Sequence, residues 1–535
     1  MSERALYYPY TSRRMVTYAG RGMVATSQQL AAQAGLDVMK KGGNAIDAAV
    51  ATAACLTVVE PNKNGIGGDS FALVWTKGKL HGLNSSGPAP RGISAQEVLS
   101  RGYKAIPEFG WIPVTVPGVP AGWAELNKRF GRLPFTEVLK PAIEYAERGY
   151  PVSPTVSAGW NRMYDIYVRC FKEEQYRYWF DTYTVNGRAP RPGEVWCSGY
   201  HASTLKAIAE TNAEAFYRGE LADRIDQYSR KYGGYIRKSD LEAFMPEWVE
   251  PIKVNYRGYD VWEIPPNGQG LIALIALNIL KGFEFDAQGT AETLHKQIEA
   301  IKLAFADGKK YITDSMDMSV DVKDLLSDTY ASERRKLISS TASVPEPGTL
   351  PKGGTVYLAT ADSEGNMVSY IQSNYMEFGS GLVVPGTGIG LQNRGHCFSL
   401  DPAHDNCLKP GKRTYHTIIP GFLSKDDRPV GPFGVMGGFM QPQGHVQVVM
   451  NTVDFGFNPQ AALDAPRWQW IEGKRVSVEQ DIPTHILREL MDRGHEIHCS
   501  LEHGAFGHGQ IIWRDEVGTL EGGTEPRTDG AVVGW

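Results

Sequence analysis

Thr355 stands directly behind Gly353 and Gly354 in the stretch GGTVYLATADSEGNMVSYIQSNYMEFGSGL. A threonine hydroxyl is a poor nucleophile until a base takes its proton. The residue's own α-amine, freed by backbone cleavage just ahead of it, can be that base. Glycine at 354 would let the scissile carbonyl adopt the geometry of an N-to-O acyl shift. The preceding SSTASVPEPGTLPKGG is short of apolar residues and rich in Ser, Pro and Gly, which predicts an exposed, flexible segment. Threonine also opens strands with no chemical task, because it is β-branched. The local pattern alone leaves both roles open.

A nucleophile has to be held by rigid elements. Two apolar-alternating runs, 356–362 and 367–374, flank Ser363-Glu364-Gly365-Asn366 and predict a β-hairpin with Thr355 at its head. Further strands are expected at 417–423, 428–435 and 511–513, with helices at 446–454 and 459–465. Near the start, SQQLAAQAGLDVMKK and AIDAAVATAACLTVVE read as two helices joined by Gly42-Gly43-Asn44. Ser27 is the expected cap of the first, and Pro61 ends the second. The second helix is small and apolar on most sides, which predicts burial. GIGGDSFALVW reads as a tight turn into a strand, residues 113–235 as mainly helical, and TLHKQIEAIKLAFADGKKYI as a long helix. Strands flanked by helices predict a sheet core covered by helices.

At 535 residues, with 42% hydrophobic and 21% charged residues and a formal net charge of -5, the chain has the composition of a soluble globular protein. It is either two or three domains or one large layered body. The charge balance excludes a basic nucleic-acid surface as the organising feature, so no nucleic-acid partner is expected. The first residues lack a signal-peptide pattern and no run of eighteen uncharged apolar residues occurs. These features predict no membrane partner and a cytoplasmic location. Six cysteines without a C-x-x-C pair argue against a disulfide framework, and twelve scattered histidines without ligand spacing argue against a metal site. No cofactor is expected.

The segments GGNAIDAAVATA, GIGGDSFALVW, VTVPGVPAGW, PAIEYAERGYPV, GGYIRKSDLEAF, YRGYDVWEIPPNGQG, IEAIKLAFADGKKYITD, ATADSEGNMVS, FGSGLVVPGTGIGLQNRG, DAPRW and EPRTDGAVVGW, in that order, resemble the γ-glutamyltranspeptidase family of N-terminal-nucleophile hydrolases over nearly the whole chain. The resemblance implies an α+β fold, a four-layer αββα sandwich. It also implies a proenzyme that cuts itself between Gly354 and Thr355 into a large subunit, 1–354, and a small subunit, 355–535, which remain one body. Thr355 falls on the family's nucleophile. Ser373 falls on a hydroxyl residue that hydrogen-bonds it, often threonine in the family; otherwise it is an exposed strand serine. Gly437 and Gly438, in GVMGGFMQPQGHVQVV, fall on the oxyanion-hole glycines, whose N–H groups suit a developing negative charge. The alternative is an ordinary strand-to-helix turn.

The pattern departs from the family where the substrate would be gripped. The arginine that holds the α-carboxylate of glutathione becomes Ser86, in NSSGPAP. The aspartate and glutamine that hold the γ-glutamyl α-amine become Cys397 and Arg394, an asparagine of the same site becomes Tyr375, and a pair of serines becomes His416-Thr417. Such a pocket should hold an α-ammonium poorly and a carboxylate well, with Arg394 as the bidentate partner. Arg394 could equally make a structural salt bridge. His416 could be a ligand donor, a proton shuttle or a packed loop histidine, and Tyr375 could offer a hydroxyl or fill space. The expected function is an autoprocessing amidohydrolase of the glutathione hydrolase and γ-glutamyltransferase kind acting on a small-molecule amide. Oxamate amidohydrolase-like or cephalosporin acylase-like activity is the alternative, and an uncleaved binding relative a further one. The large and small subunits of one precursor are the expected partners, and αβ pairs could assemble into a homo-oligomer.

Overall fold

The computed structural model describes residues 14–344 and 354–535. Of the flexible stretch expected at 339–354, residues 345–353 lie outside the described residues. Two seven-stranded sheets form the centre. In chain order their strands are β1 (Thr17–Ala19), β2 (Gly22–Thr26), β3 (Asp69–Thr76), β4 (Lys79–Ser85), β5 (Glu247–Val249), β6 (Ile252–Tyr256), β7 (Tyr259–Glu263), β8 (Gly354–Asp362), β9 (Met367–Tyr375), β10 (Gly421–Lys425), β11 (Arg428–Met436), β12 (His508–Arg514), β13 (Leu520–Thr524) and β14 (Ala531–Gly534). One sheet runs β14-β2-β8-β9-β3-β4-β5, the other β1-β13-β12-β11-β10-β7-β6. Their pairings are antiparallel.

The sheets face each other, with β8 against β11 and β12, and β9 against β11. Outside the first lie α1 (Gln29–Lys40) and α2 (Ala45–Val59). Outside the second lie α3 (Gly270–Leu280) and α5 (Met440–Val453), with α4 (Ala291–Tyr311) packed on α3. This is the expected αββα sandwich. All nine residues of β9 are buried, including Gln372, Ser373 and Asn374 on its polar positions. Helix α2 is buried along its whole length, as its all-round apolar character requires, and Asn44 and Asp47 close a capping box at its start.

Three expectations shift. The cap of α1 is Gln28, whose Oε1 accepts from the Leu30 and Ala31 N–H groups; Ser27 instead donates to Glu60 across the end of α2. The strand expected at 417–423 begins only at Gly421, because the preceding residues are drawn to another loop: the His416 N–H donates to Asn267 and the Gln269 N–H to His416. Helix α5 begins at Met440 rather than near 446. Its first turns carry Gln441, Gln443, His445 and Gln447, all buried, with Gln443 and Gln447 donating to the Trp470 and Trp468 carbonyls. Satisfied buried amides hide a helix from an apolar-period reading.

Candidate active site

The site is assembled where the β8–β9 ladder is irregular. Gly354 pairs with Tyr375 and Val356 with Gln372, so Ser373 and Asn374 together stand opposite Thr355. Such a bulge re-aims side chains. Here it brings Thr355 Oγ1 to 3.3 Å from Ser373 Oγ, which also accepts from the Tyr375 N–H at 2.8 Å. Thr355 and Ser373 are buried, so Ser373 is not the exposed strand serine of the alternative reading. Tyr375 leaves the strand with φ +75°, a left-handed conformation that costs a non-glycine residue on the order of 1–2 kcal/mol. Strain of this kind is retained where surrounding contacts fix it, and it turns the Tyr375 ring beneath Arg394.

Gly437 and Gly438 follow β11 and precede α5, with φ +142° and +59°. The Gly437 φ is one that L side chains rarely adopt, and a side chain there would also sit tightly, 3.1 Å from the Gly507 Cα. Gln269, fully buried at the start of α3, ties this loop to the segment beside it. Its Nε2 donates to the Thr417 carbonyl at 2.5 Å and to the Gly438 carbonyl at 2.9 Å, and its Oε1 accepts from the Tyr415 hydroxyl at 2.7 Å.

Arg394 is fully buried. Its Nη1 donates to Thr417 Oγ1 at 2.7 Å and its guanidinium lies 4.3 Å from the Tyr375 ring centre. Nε and Nη2 have no hydrogen-bonding partner among the described residues, and no carboxylate pairs with it there. The structural salt bridge is therefore not found. The Cys397 thiol contacts both Arg394 and Tyr375, a weak sulfur partner that does not replace a carboxylate for the guanidinium, and burial pushes it up, so it stays protonated.

His416 is held on several sides. Nδ1 accepts from the Ile418 N–H at 3.4 Å, Nε2 lies 3.1 Å from Asp69 Oδ2, and Phe71 packs edge-on against the ring. Burial, aided by Arg394, keeps the imidazole neutral. Asp69 also accepts from Gln392 and from the Gly87 N–H, and burial nevertheless pushes it up to about 7. Ser86 donates to Asn84 Oδ1 at 2.7 Å, and its carbonyl accepts from Arg413 Nε at 2.9 Å. A guanidinium thus reaches the Ser86 corner from elsewhere in the chain, although Arg413 also pairs with Glu247.

The sequence reading missed Gln269, Asp69 and Gln392. All three lie inside segments that carried the resemblance, but a buried polar residue with satisfied partners leaves no periodic mark. It also missed a grouping of His295, Glu299 and His495, whose donor atoms lie within 4.8 Å of one another. These donors already serve one another and their neighbours: His295 meets His495 at 2.8 Å and the Ser339 carbonyl at 2.8 Å, and Lys302 donates to Glu299 at 2.7 Å. All six cysteines are free. Among the described residues no helix is long and apolar enough to cross a membrane.

A cavity of about 1060 Å³ opens beside the cluster. Tyr375, Cys397, Tyr415 and Phe439 line one part of it, and the rest of the wall comes from α4, from the segments around Arg334 and Ser343, and from the 396–406 stretch. Tyr375 follows the Ser373 bulge and Phe439 follows Gly438, so the cavity meets the cluster through these neighbours; Thr355, Ser373, Gly437, Gly438 and Arg394 do not themselves line it.

Two facing antiparallel sheets covered by helices, with this cluster at the head of a central strand, define the N-terminal-nucleophile hydrolase architecture. Within that class the chain belongs to the γ-glutamyltranspeptidase family of autoprocessing amidohydrolases, whose profile, Gamma-glutamyltranspeptidase, matches residues 31–535. The chain is 38% identical to the glutathione hydrolase-like YwrD proenzyme of Bacillus subtilis, covering 96% of this chain and 98% of that one. It is 34% identical to the oxamate amidohydrolase proenzyme of Klebsiella pneumoniae, with the same two coverages. A crystal structure of cephalosporin acylase from Bacillus halodurans superposes with a TM-score of 0.96 at 65% identity, covering 99% of this chain and 98% of that one.

Proposed function

We propose that the protein is cleaved between Gly354 and Thr355 and then hydrolyses an amide whose acyl half carries a carboxylate and no α-ammonium. While the chain is intact the nitrogen of Thr355 is a peptide nitrogen and has no basicity. Once free it is an amine of pKa about 8, suited to take the proton from its own hydroxyl near neutral pH. Oγ1 then attacks the amide carbonyl. The Gly437 and Gly438 N–H groups face the oxyanion, and Gln269 fixes the Gly438 peptide from the large subunit. Collapse of the tetrahedral intermediate breaks the C–N bond, the departing amine takes the proton held by the α-ammonium, and an acyl ester on Thr355 remains. Water, activated by the same amine, releases the acid. Ser373 orients the hydroxyl before attack.

One observation carries the choice of substrate class: Arg394, buried with two unspent donor nitrogens, where the family's γ-glutamyl α-amine ligand would lie. A cation there repels an ammonium and pairs with a carboxylate. The similarity to an acylase and to an oxamate amidohydrolase supports the same choice, since oxamate bears a carboxylate and no ammonium. His416, neutral and hydrogen-bonded to Asp69, acts by holding the Thr417 segment, and Ser86 by packing. Glutaryl-p-nitroanilide and γ-glutamyl-p-nitroanilide differ only by the α-amine. The glutaryl compound is expected to have at least a tenfold higher kcat/KM. Preference for the γ-glutamyl compound would overturn the proposal.

A further inference from the structure

The cavity is larger than a short acyl group needs, and small-molecule sites of several hundred Å³ usually enclose a whole ligand. Arg394 is not on the cavity wall but contacts Tyr375, which is; with the acyl half placed at that end, the space along α4 is left for the amine half. The charges along that wall differ in how they are matched. Arg334 is spent on Asp307, at 2.7 Å and 3.1 Å, and on the Leu303 carbonyl. Lys309 is different. Its stem lines the cavity, but its ammonium is covered and has no hydrogen-bonding partner among the described residues. It rests 5.5 Å from the centre of the Trp470 ring, a contact that offers no acceptor for three N–H donors.

A covered ammonium without an acceptor is costly, and burial pushes Lys309 down to about 8, only partly offset by Glu472. A lysine stem is long and flexible enough to swing its head from the Trp470 face into the adjoining space. The other charged groups around it are Lys310, on the next position of α4, and the mutually paired Asp307 and Arg334.

We infer that Lys309 anchors a carboxylate on the amine half of the substrate, the half that leaves. The site thus reads an anion at each end of the amide, Arg394 on the acyl side and Lys309 on the leaving side. This rests on the amidohydrolase function proposed above.

The test compares N-glutaryl-4-aminobenzoate with its neutral isostere N-glutaryl-4-aminobenzamide. Wild type is expected to favour the acid by at least tenfold in kcat/KM at pH 7, through KM. The preference should fall as pH rises through about 8, where the free ammonium loses its proton. Lys309→Met should remove the preference, and Lys309→Arg should keep it and carry it to pH 9. A wild-type ratio near one, or a ratio that Lys309→Met leaves in place, overturns the inference. Calorimetric titration with 4-aminobenzoate and 4-aminobenzamide asks the same question without turnover. Acid-selective binding lost in Lys309→Met, with neither anilide hydrolysed, would sustain the subsite and sink the amidohydrolase function instead.

Discussion

At the head of β8 the groups placed at the reaction centre are tied to one another, Thr355 to Ser373, Ser373 to the Tyr375 N–H, and the Gly438 carbonyl to Gln269, while Asn374 Oδ1 and the Tyr375 hydroxyl beside them have no hydrogen-bonding partner among the described residues. A few residues away Arg394 keeps two donor nitrogens idle in full burial, and along α4 Lys309 keeps its ammonium idle as well. A buried donor left unpaired costs about 1–3 kcal/mol, and more if charged, so among the unpaired buried atoms a cation is the most expensive to keep without an acceptor. The contrast separates two tasks. The matched region holds reacting atoms in place, and pre-organisation requires that nothing there be free to move. The unmatched region holds donors in reserve for acceptors that a ligand brings.

This contrast can be broken by substitution. Gly437→Ala attacks the matched region at a point whose φ strains any side chain and whose space is tight. It should lower kcat by about 10²-fold, the usual size of a lost oxyanion donor, with KM for glutaryl-p-nitroanilide little changed. Arg394→Met attacks the unmatched region. It should raise KM for acidic acyl amides by about 10- to 100-fold and kcat hardly at all, because an unpaired cation is removed and no internal partner is stranded except the Thr417 hydroxyl. A fall in kcat without a change in KM would place Arg394 with the reacting atoms. Gln269→Leu sharpens the comparison from the segment before the proposed cleavage site, since it frees the Gly438 carbonyl without touching substrate. A drop in kcat of about tenfold is expected, and an equal change in KM would mean that the cavity itself had shifted.

Much of the central hairpin was legible. Alternation on either side of Ser363-Glu364-Gly365-Asn366 located β8 and β9 to within two residues, because turn chemistry and strand period agree there. Thr355, Ser373, Gly437 and Gly438 were reached through family likeness, and the structure brings Thr355 and Ser373 into hydrogen-bond contact across a bulge that no local pattern announces. The register slip depends on how two strands meet, which neither strand encodes alone. The start of α5 and the 417–420 segment were misread for a related reason: their polar residues are buried and satisfied by distant partners such as Trp470 and Asn267. Lys309 gave no signal, since a lysine in a helix reads as surface until the helix is seen to line a cavity.

The most direct test of the central claim is intact mass spectrometry of the purified wild-type protein and of Thr355→Ala, each before and after brief exposure to glutaryl-p-nitroanilide. The account predicts two wild-type fragments that meet between Gly354 and Thr355, a glutaryl adduct on the smaller fragment, and a single unmodified mass for Thr355→Ala. Cleavage at another bond, an adduct on the larger fragment, or turnover by the uncut alanine variant would contradict it.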